Sequence, residues 1–583
     1  MRSLTLLPAL ALLATPVLAQ TPRSSTQIDT TAVAASNMGG VASQGGLSVA
    51  FWKDSTNQNI LASRSTDGGV NWSAPVRVDS DATGASKFAG FQNGTEAIVI
   101  NGNHVYIAWS DDRDGDSNIR FNRSTDGGVT FAAADTLIGK GLAPVSGNDV
   151  KDFALAVVKD ADPNNDEIYV LQSVENDADG LNEDVYLTVS TDGGATFGTA
   201  ISAASSNGGG FDVDNIGLWA DANGVYWAWD DNRNGQDDLF FNSSTDAGAT
   251  LGTEQQLDAS GPAAGDVDSG NADPPITISS GGGMLVVAWQ EEVVGNTEEA
   301  KLRVSTDGGL TFGPERSPGG YIAGTDDVDS FTMTVSGSNI VTVWDDDRGG
   351  ADQVFVNVSS DMGASFTETQ ITTTGGGFVR VTRDGGDIAL VYTGGPFPNA
   401  TLANVSSDNG ATWSSAITVS DTTGDADFAE AAYDASKKNF LVAWEADDLA
   451  NDNIYLGGFS FSDATVASRT GGNNVASYVA DEVRVGESWT ANVDLTTTGH
   501  TMAQIFGRVA PANIPLGNGA EVLIGGPLVF KTPLLSGPLA SATFPIPNDP
   551  CIVGLTVYTQ AVHIFGVAPY RLTNSQDLTV GSF

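Results

Sequence analysis

The chain has 583 residues, with 72 acidic and 26 basic side chains and a formal net charge of −46. That length suits several ordinary domains or one repeat array with an appended module, and a field of that sign repels nucleic acid and anionic membrane surfaces while attracting cations. Cys551 is the single cysteine, which excludes an intrachain disulfide and a thiolate metal cluster.

Residues 1–19 are predicted to be a secretory signal. Arg2 is the only charge ahead of an apolar run from Leu4 to Leu18, and Val17 and Ala19 stand at positions −3 and −1 of a cut after Ala19. The run is short and flanked like a signal peptide, and no later stretch is apolar enough to span a bilayer. The expectation is a monomer exported to the periplasm, cell surface or medium, without membrane insertion.

From 20 to 466 the chain is organised around a recurring box. The first copy, Ser65-Thr66-Asp67-Gly68-Gly69-Val70-Asn71-Trp72, is followed by copies at 124–131, 190–197, 244–251, 305–312, 359–366 and 406–413. The shared pattern is Ser-x-Asp-x-Gly, one variable residue, a small polar residue, and an aromatic or Leu. Successive Asp residues lie 47 to 66 apart, and a fixed element at such a period indicates a repeat architecture. A short apolar run ending in an aromatic precedes most boxes, as at 49–52, 105–109, 225–229, 285–289 and 340–344. Such runs, rich in Val, Ile and aromatics between polar turns, read as strands. Eight copies of this hairpin are present, but the eighth, at 440–461, has no box and no fourth strand after it. A strand at 26–31 has no hairpin before it. The two gaps complete each other, so the prediction is an all-β fold: an eight-bladed β-propeller closed by its N-terminal strand, with seven blades the alternative. Closure removes the exposed edges that an open array would carry.

The box has a mechanical reading. An Asp in a tight turn accepts hydrogen bonds from backbone N–H groups a few residues on, the Gly supplies a positive φ, and the closing aromatic packs between sheets. Asp67, Asp126, Asp192, Asp246, Asp307, Asp361 and Asp408 are therefore expected to be structural turn residues. After a turn-rich linker at 467–477, residues 478–583 carry no box. They hold only seven acidic and four basic residues, and their alternating stretches predict a small β-sandwich.

The box pattern, closest at 124–131 and 190–197, resembles the Asp-box or bacterial neuraminidase repeat of sialidase-like propellers. The last hundred residues are similar to a C-terminal module of exported bacterial proteins. The first resemblance implies boxes on the turn between third and fourth strands, away from the face where chemistry occurs. It also implies that a sialidase would bring three arginines, a Tyr–Glu pair, an acid/base Asp and an Arg-Ile-Pro motif, and this chain has no Arg-Ile-Pro. Arg113, Arg233 and Arg348 recur four residues after Trp109, Trp229 and Trp344 and are flanked by Asp, so local salt bridges are expected of them. Arg380 and Arg383, on a predicted innermost strand, are the candidates for a central contact.

The loops of the opposite face are acidic. Asp111, Asp114, Asp116, Asp177, Asp179, Asp184, Asp214 and Asp329 are candidate Ca²⁺ ligands, since crowded carboxylates call for a cation or hydrogen bonds. The competing reading is solvated turns and Asp–Arg pairs. His104, His500 and His563 are scattered, which gives no support to zinc or to a Ser-His-Asp triad, and no organic cofactor is expected. The leading functional expectation is a secreted binding or scaffold propeller for glycans or extracellular polymers; the alternative is a sialidase-like glycoside hydrolase.

Overall fold

The computed structural model describes residues 23–581 apart from 30–35, 82–86, 89–96, 114, 116, 140–148, 176–181, 259–266, 268–275, 294–296, 321–325, 349, 373–374, 396–397, 415, 421–424, 435, 437–438, 449–450, 461–464, 472, 481–482, 485–487, 497, 517–519, 547–554 and 567–569. Residues Pro22–Phe459 form one compact unit, and the chain from Ser460 to Phe583 belongs to another.

Among the described residues the first unit holds eight antiparallel sheets. They are numbered by their second strands, Leu47–Asp54, His104–Asp111, Glu167–Glu175, Gly224–Asp231, Met284–Val293, Asn339–Asp346, Asp387–Gly394 and Asn439–Asp448. These strands are Val-, Ile- and aromatic-rich. The second is buried at all but one position and the sixth at every position, as expected for strands covered on both faces. Trp52, Trp109, Trp229, Trp289, Trp344 and Trp444 are fully buried there.

The first strands of the sheets are Ser36–Gln44, Ile98–Asn101, Val150–Val158, Ile216–Asp221, Ile276–Gly281, Val328–Ser336, Gly377–Asp384 and Asp425–Asp434. Each lies against the first strand of the following sheet, and the last lies against that of the first sheet, so the succession returns to its start. The eighth sheet takes its fourth strand from the beginning of the chain. Arg23–Gln27 pairs antiparallel with Asn451–Ser460, with Thr26 opposite Leu456, and the Ile28 N–H continues the pairing to the Ile454 carbonyl at 3.0 Å. Of the strand expected at 26–31, Thr30 and Thr31 lie outside the described residues. The fifth sheet has three strands, and its fourth is reduced to a bridge between Leu302 and Arg316.

In the second unit, a three-stranded sheet (Tyr478–Ala480, Ser488–Asp494, Leu539–Pro545) and a seven-stranded sheet share one core. Tyr478, Trp489 and Val493 from the former pack with Ala503, Ile505 and Leu578 from the latter, a two-sheet sandwich. The stretch 467–477 is not a free linker. Thr465–Arg469 is a strand paired with Arg571–Gly581, and Val475 bridges to Thr573. Its turn-rich composition hid this pairing, because the partner strand lies about a hundred residues away.

Candidate functional site

The seven boxes share one hydrogen-bond pattern. Each Ser hydroxyl donates to its Asp Oδ1 at 2.7–2.9 Å and accepts from the N–H of the box glycine at 2.8–3.0 Å. The same Oδ1 accepts the backbone N–H four residues on at 2.8–2.9 Å. Oδ2 accepts that residue's side chain at 2.6–2.7 Å. These donors favour the charged carboxylate. The Asn71 side chain and N–H hold Asp67 well below the usual range, and those of Ser365 hold Asp361 down to about 2. In Asp126, burial pushes upward but the Thr130 hydroxyl and N–H outweigh it, leaving about 2.

The box also joins sheets. Its closing aromatic packs against the preceding sheet, Phe197 edge-on to Phe121 at 5.0 Å and Phe312 edge-on to Phe241 at 4.9 Å. A glycine carbonyl near its start accepts a donor from that sheet: Arg64 to Gly127 at 3.0 Å, Gln255 to Gly309 at 2.7 Å, and Asn439 of the eighth sheet to Gly68 of the first at 2.7 Å.

The turns between second and third strands lie at the other end of the sheets. There Arg113, Arg233 and Arg348 each close a clamp. Nε donates to Asp111, Asp231 and Asp346 at 2.9, 2.7 and 2.8 Å, and the same carboxylates accept from the indoles of Trp109, Trp229 and Trp344. Nη1 reaches Asp135, Glu254 and Glu368 near the fourth strand. Arg233 and Arg348 also lie over the rings of Phe240 and Phe355 at 3.8 and 3.9 Å. All three guanidinium groups are thus held by their own sheets, as the Asp-flanked spacing suggested.

Several other carboxyls at this end are pushed upward by burial. Burial, and then the carboxyl of Asp212, push Glu183 up to about 7, and burial takes Glu291 to about 7. Asp345 rises to about 8, chiefly through burial, although Ser330 donates to it. Asp329 rises to about 6 through burial and then through Asp352, Asp327 and Asp347. Asp230 is fully buried and pushed well above the usual range by that burial, against hydrogen bonds from Asn215.

Five of the first strands bulge near their beginning, at this same end. The register slips between Met38 and Gly40, Val150 and Asp152, Val328 and Ser330, Gly377 and Arg380, and Asp427 and Glu430. A bulge re-aims the inserted side chain. The inserted residues include Lys151, whose side chain is 45% exposed and pairs with Glu175, half-buried Asp329, and Phe378, 46% exposed with φ 53°. None of these bulges was legible in the sequence; the glycines at 375–377 before Phe378 are the one local sign of unusual backbone.

Arg380 and Arg383 do not converge. Arg380 pairs with Glu430 of the eighth sheet at 3.0 Å. Arg383 lies at the box end, donating to the Gly385 carbonyl and Asn409 at 2.7 Å each. Three residues on a strand carry the chain from one end of the sheet towards the other and reverse the face, which the shared strand assignment overlooked. Among the candidate Ca²⁺ ligands, Asp111 is engaged by Trp109 and Arg113, and Asp184 accepts from Tyr186 at 2.9 Å and the Gly208 N–H at 2.5 Å. Asp214 and Asp329 lie at the bulged end, while Asp114, Asp116, Asp177 and Asp179 lie outside the described residues. No three His, Cys, Asp or Glu side chains among the described residues converge as a metal cage.

No protein-family model matches the chain, and no curated protein does. Solved structures of low similarity exist. The polysaccharide lyase Uly1 is 9% identical with a TM-score of 0.40, over 63% of this chain and 90% of its own. A Trypanosoma rangeli sialidase in complex with 2,3-difluorosialic acid is 11% identical with a TM-score of 0.30, over 75% and 89%. The Hadza microbial sialidase Hz136 is 15% identical with a TM-score of 0.31, over 59% and 73%. At such values the likeness carries no functional argument, and the geometry of the sheet ends has to supply it.

Proposed function

We propose that the eight sheets are the blades of one closed β-propeller in an exported protein, and that its bulged end binds a glycan or another extracellular polymer without cleaving it. The observation that carries this reading is the fate of the arginines. Arg113, Arg233 and Arg348 are each held by a buried Asp of their own sheet, Arg380 is paired with Glu430, and Arg383 is at the far end. A sialidase-like hydrolase needs several guanidinium groups turned towards one carboxylate of the sugar, and these five are committed elsewhere. The carboxyl-rich bulged end suits neutral or cationic ligands instead.

Calcium belongs to this proposal only for the loops containing Asp114, Asp116, Asp177 and Asp179. A chelator should then lower the melting temperature; an unchanged melt removes calcium from the reading. The function is tested by giving the full chain a fluorogenic sialoside and a glycan panel. Binding without turnover is expected. Turnover that disappears in Arg380→Ala would overturn the binding reading in favour of the hydrolase.

A further inference from the structure

The start of the first strand of the seventh sheet departs from its own surroundings in three ways. Phe378 holds a left-handed backbone, φ 53°, a conformation that disfavours any residue with a Cβ and suits glycine. Glycine stands at the three positions before it, yet the left-handed site carries a large aromatic. Phe378 is also 46% exposed as a residue, so its conformation does not serve full burial in the core.

Neighbouring sheets crowd the backbone around Phe378. A Cβ on Gly377 would stand 3.3 Å from Asp345 Oδ2. The Val379 N–H donates to Ser330 Oγ at 3.3 Å, and Arg380 is fixed by Glu430 at 3.0 Å. Ser330 directly follows the bulged Asp329 of the sixth sheet. The seam between these sheets therefore presents an aromatic ring on a rigid support, with Asp327, Asp329, Asp347 and Asp352 on the adjoining sheet. Arg348, the nearby guanidinium of that sheet, is already committed to Asp346 and Glu368.

An exposed aromatic ring suits the apolar C–H face of a pyranose. Asp327 accepts the Glu298 N–H at 2.9 Å and Asp347 the Asp327 N–H at 3.0 Å, each through Oδ1; a carboxylate so engaged can also receive an ammonium group and repels acidic sugars. We propose that this seam takes a polymer of amino sugars with free ammonium groups: Phe378 stacks on one sugar ring, and Asp327, Asp329 and Asp347 receive the ammonium groups. This rests on the reading of the bulged end as glycan-binding and names the ligand class for it.

The test is calorimetric titration of the full chain with a β-1,4-glucosamine oligomer, its N-acetylated counterpart and a neutral glucan oligomer, at low and high salt. The glucosamine oligomer should bind at least tenfold more tightly than the other two, and salt should weaken it. Phe378→Gly should reduce that affinity at least tenfold without lowering the melting temperature, because glycine relieves the left-handed backbone. A merely structural Phe378 would show the reverse, a lower melting temperature with binding intact, and that would overturn its role. Asp329→Asn should weaken the glucosamine oligomer alone. Equal affinity for the N-acetylated oligomer, unaffected by Asp329→Asn, would overturn the ammonium preference and leave the glycan reading standing. Failure of all three oligomers to bind would overturn this ligand class, while binding elsewhere on the glycan panel decides the wider reading.

Discussion

The two ends of the sheets use the same residue type in opposite electrostatic states. At the box end, six of the seven Asp residues are exposed and Asp192 is half-buried, but all are surrounded by donors, and Asp126 and Asp361 are held down to about 2. At the other end, Glu183, Glu291, Asp329 and Asp345 are more buried and have fewer donors, and they are pushed up to between about 6 and about 8. Net charge alone cannot separate the two. What separates them is whether the local backbone turns its N–H groups towards the carboxylate. One end satisfies its own charge. The other holds carboxyls whose charged form burial disfavours, and perturbed groups of that kind cluster at functional surfaces.

The clamps are the exception within the second end, and breaking one should have the largest effect. Arg113 compensates Asp111 and Asp135, whose side chains are 0% and 1% exposed. Arg113→Ala leaves both carboxylates buried without it and should cost about 3–5 kcal/mol in urea unfolding. Arg64 at the box end donates to one carbonyl, that of Gly127, so Arg64→Ala should cost about 1 kcal/mol. Equal costs would erase the distinction between the ends.

The pH dependence sharpens the contrast because the two ends oppose each other. The depressed box carboxylates contribute stability that is present above about pH 4 and lost as pH falls through about 2. Asp345 has its folded-state value raised to about 8, so its contribution is fully present below about pH 4 and is lost as pH rises through about 8. Glu291 acts in the same direction through about 7. Melting temperatures should therefore be higher near pH 5 than near pH 8.5. Asp345→Asn should recover about 2 kcal/mol at the higher pH and change little at the lower one. A melting temperature that rises steadily from pH 5 to 8.5 would contradict the raised carboxyls.

The box end was legible from the sequence because everything that builds it is local. Ser65, Asp67, Gly69 and Asn71 lie within seven residues, so spacing alone gives their hydrogen bonds. The clamps were legible for the same reason, Trp109, Asp111 and Arg113 being alternate residues. The strand at Arg23–Gln27 was inferred from a mismatch between hairpins and boxes, and its partner lies in the eighth sheet. The bulged end was not legible. Its character arises where Gly377 meets Asp345 and Val379 meets Ser330, contacts between separate sheets that no local spacing encodes. The confinement of Asp329 likewise depends on Asp347 and Asp352, which only the fold brings near. Arg380 and Arg383 looked alike in sequence and separated once strand direction and face were fixed.

The smaller effects lie within the boxes. Asp361→Ala removes the acceptor for the Ser359 hydroxyl and for the Ser365 N–H and hydroxyl, and should cost about 1–2 kcal/mol. Smallest is the change at the residue after the Asp. Four boxes place glycine there, with Gly68, Gly127, Gly193 and Gly308 at φ 62–74°. Ala247, Met362 and Asn409 occupy the same position at 55°, 59° and 61°. Met362→Gly should raise stability by about 1 kcal/mol, and Asn409→Gly by less, since Asn tolerates this conformation. Paired denaturant melts of the two variants measure the difference. Phe378→Gly relieves the same kind of backbone, but at an end where the side chain faces a proposed ligand. Strain relieved at Met362 should leave binding untouched, whereas strain relieved at Phe378 should weaken it at least tenfold, and that divergence is what distinguishes a tolerated conformation from a used one.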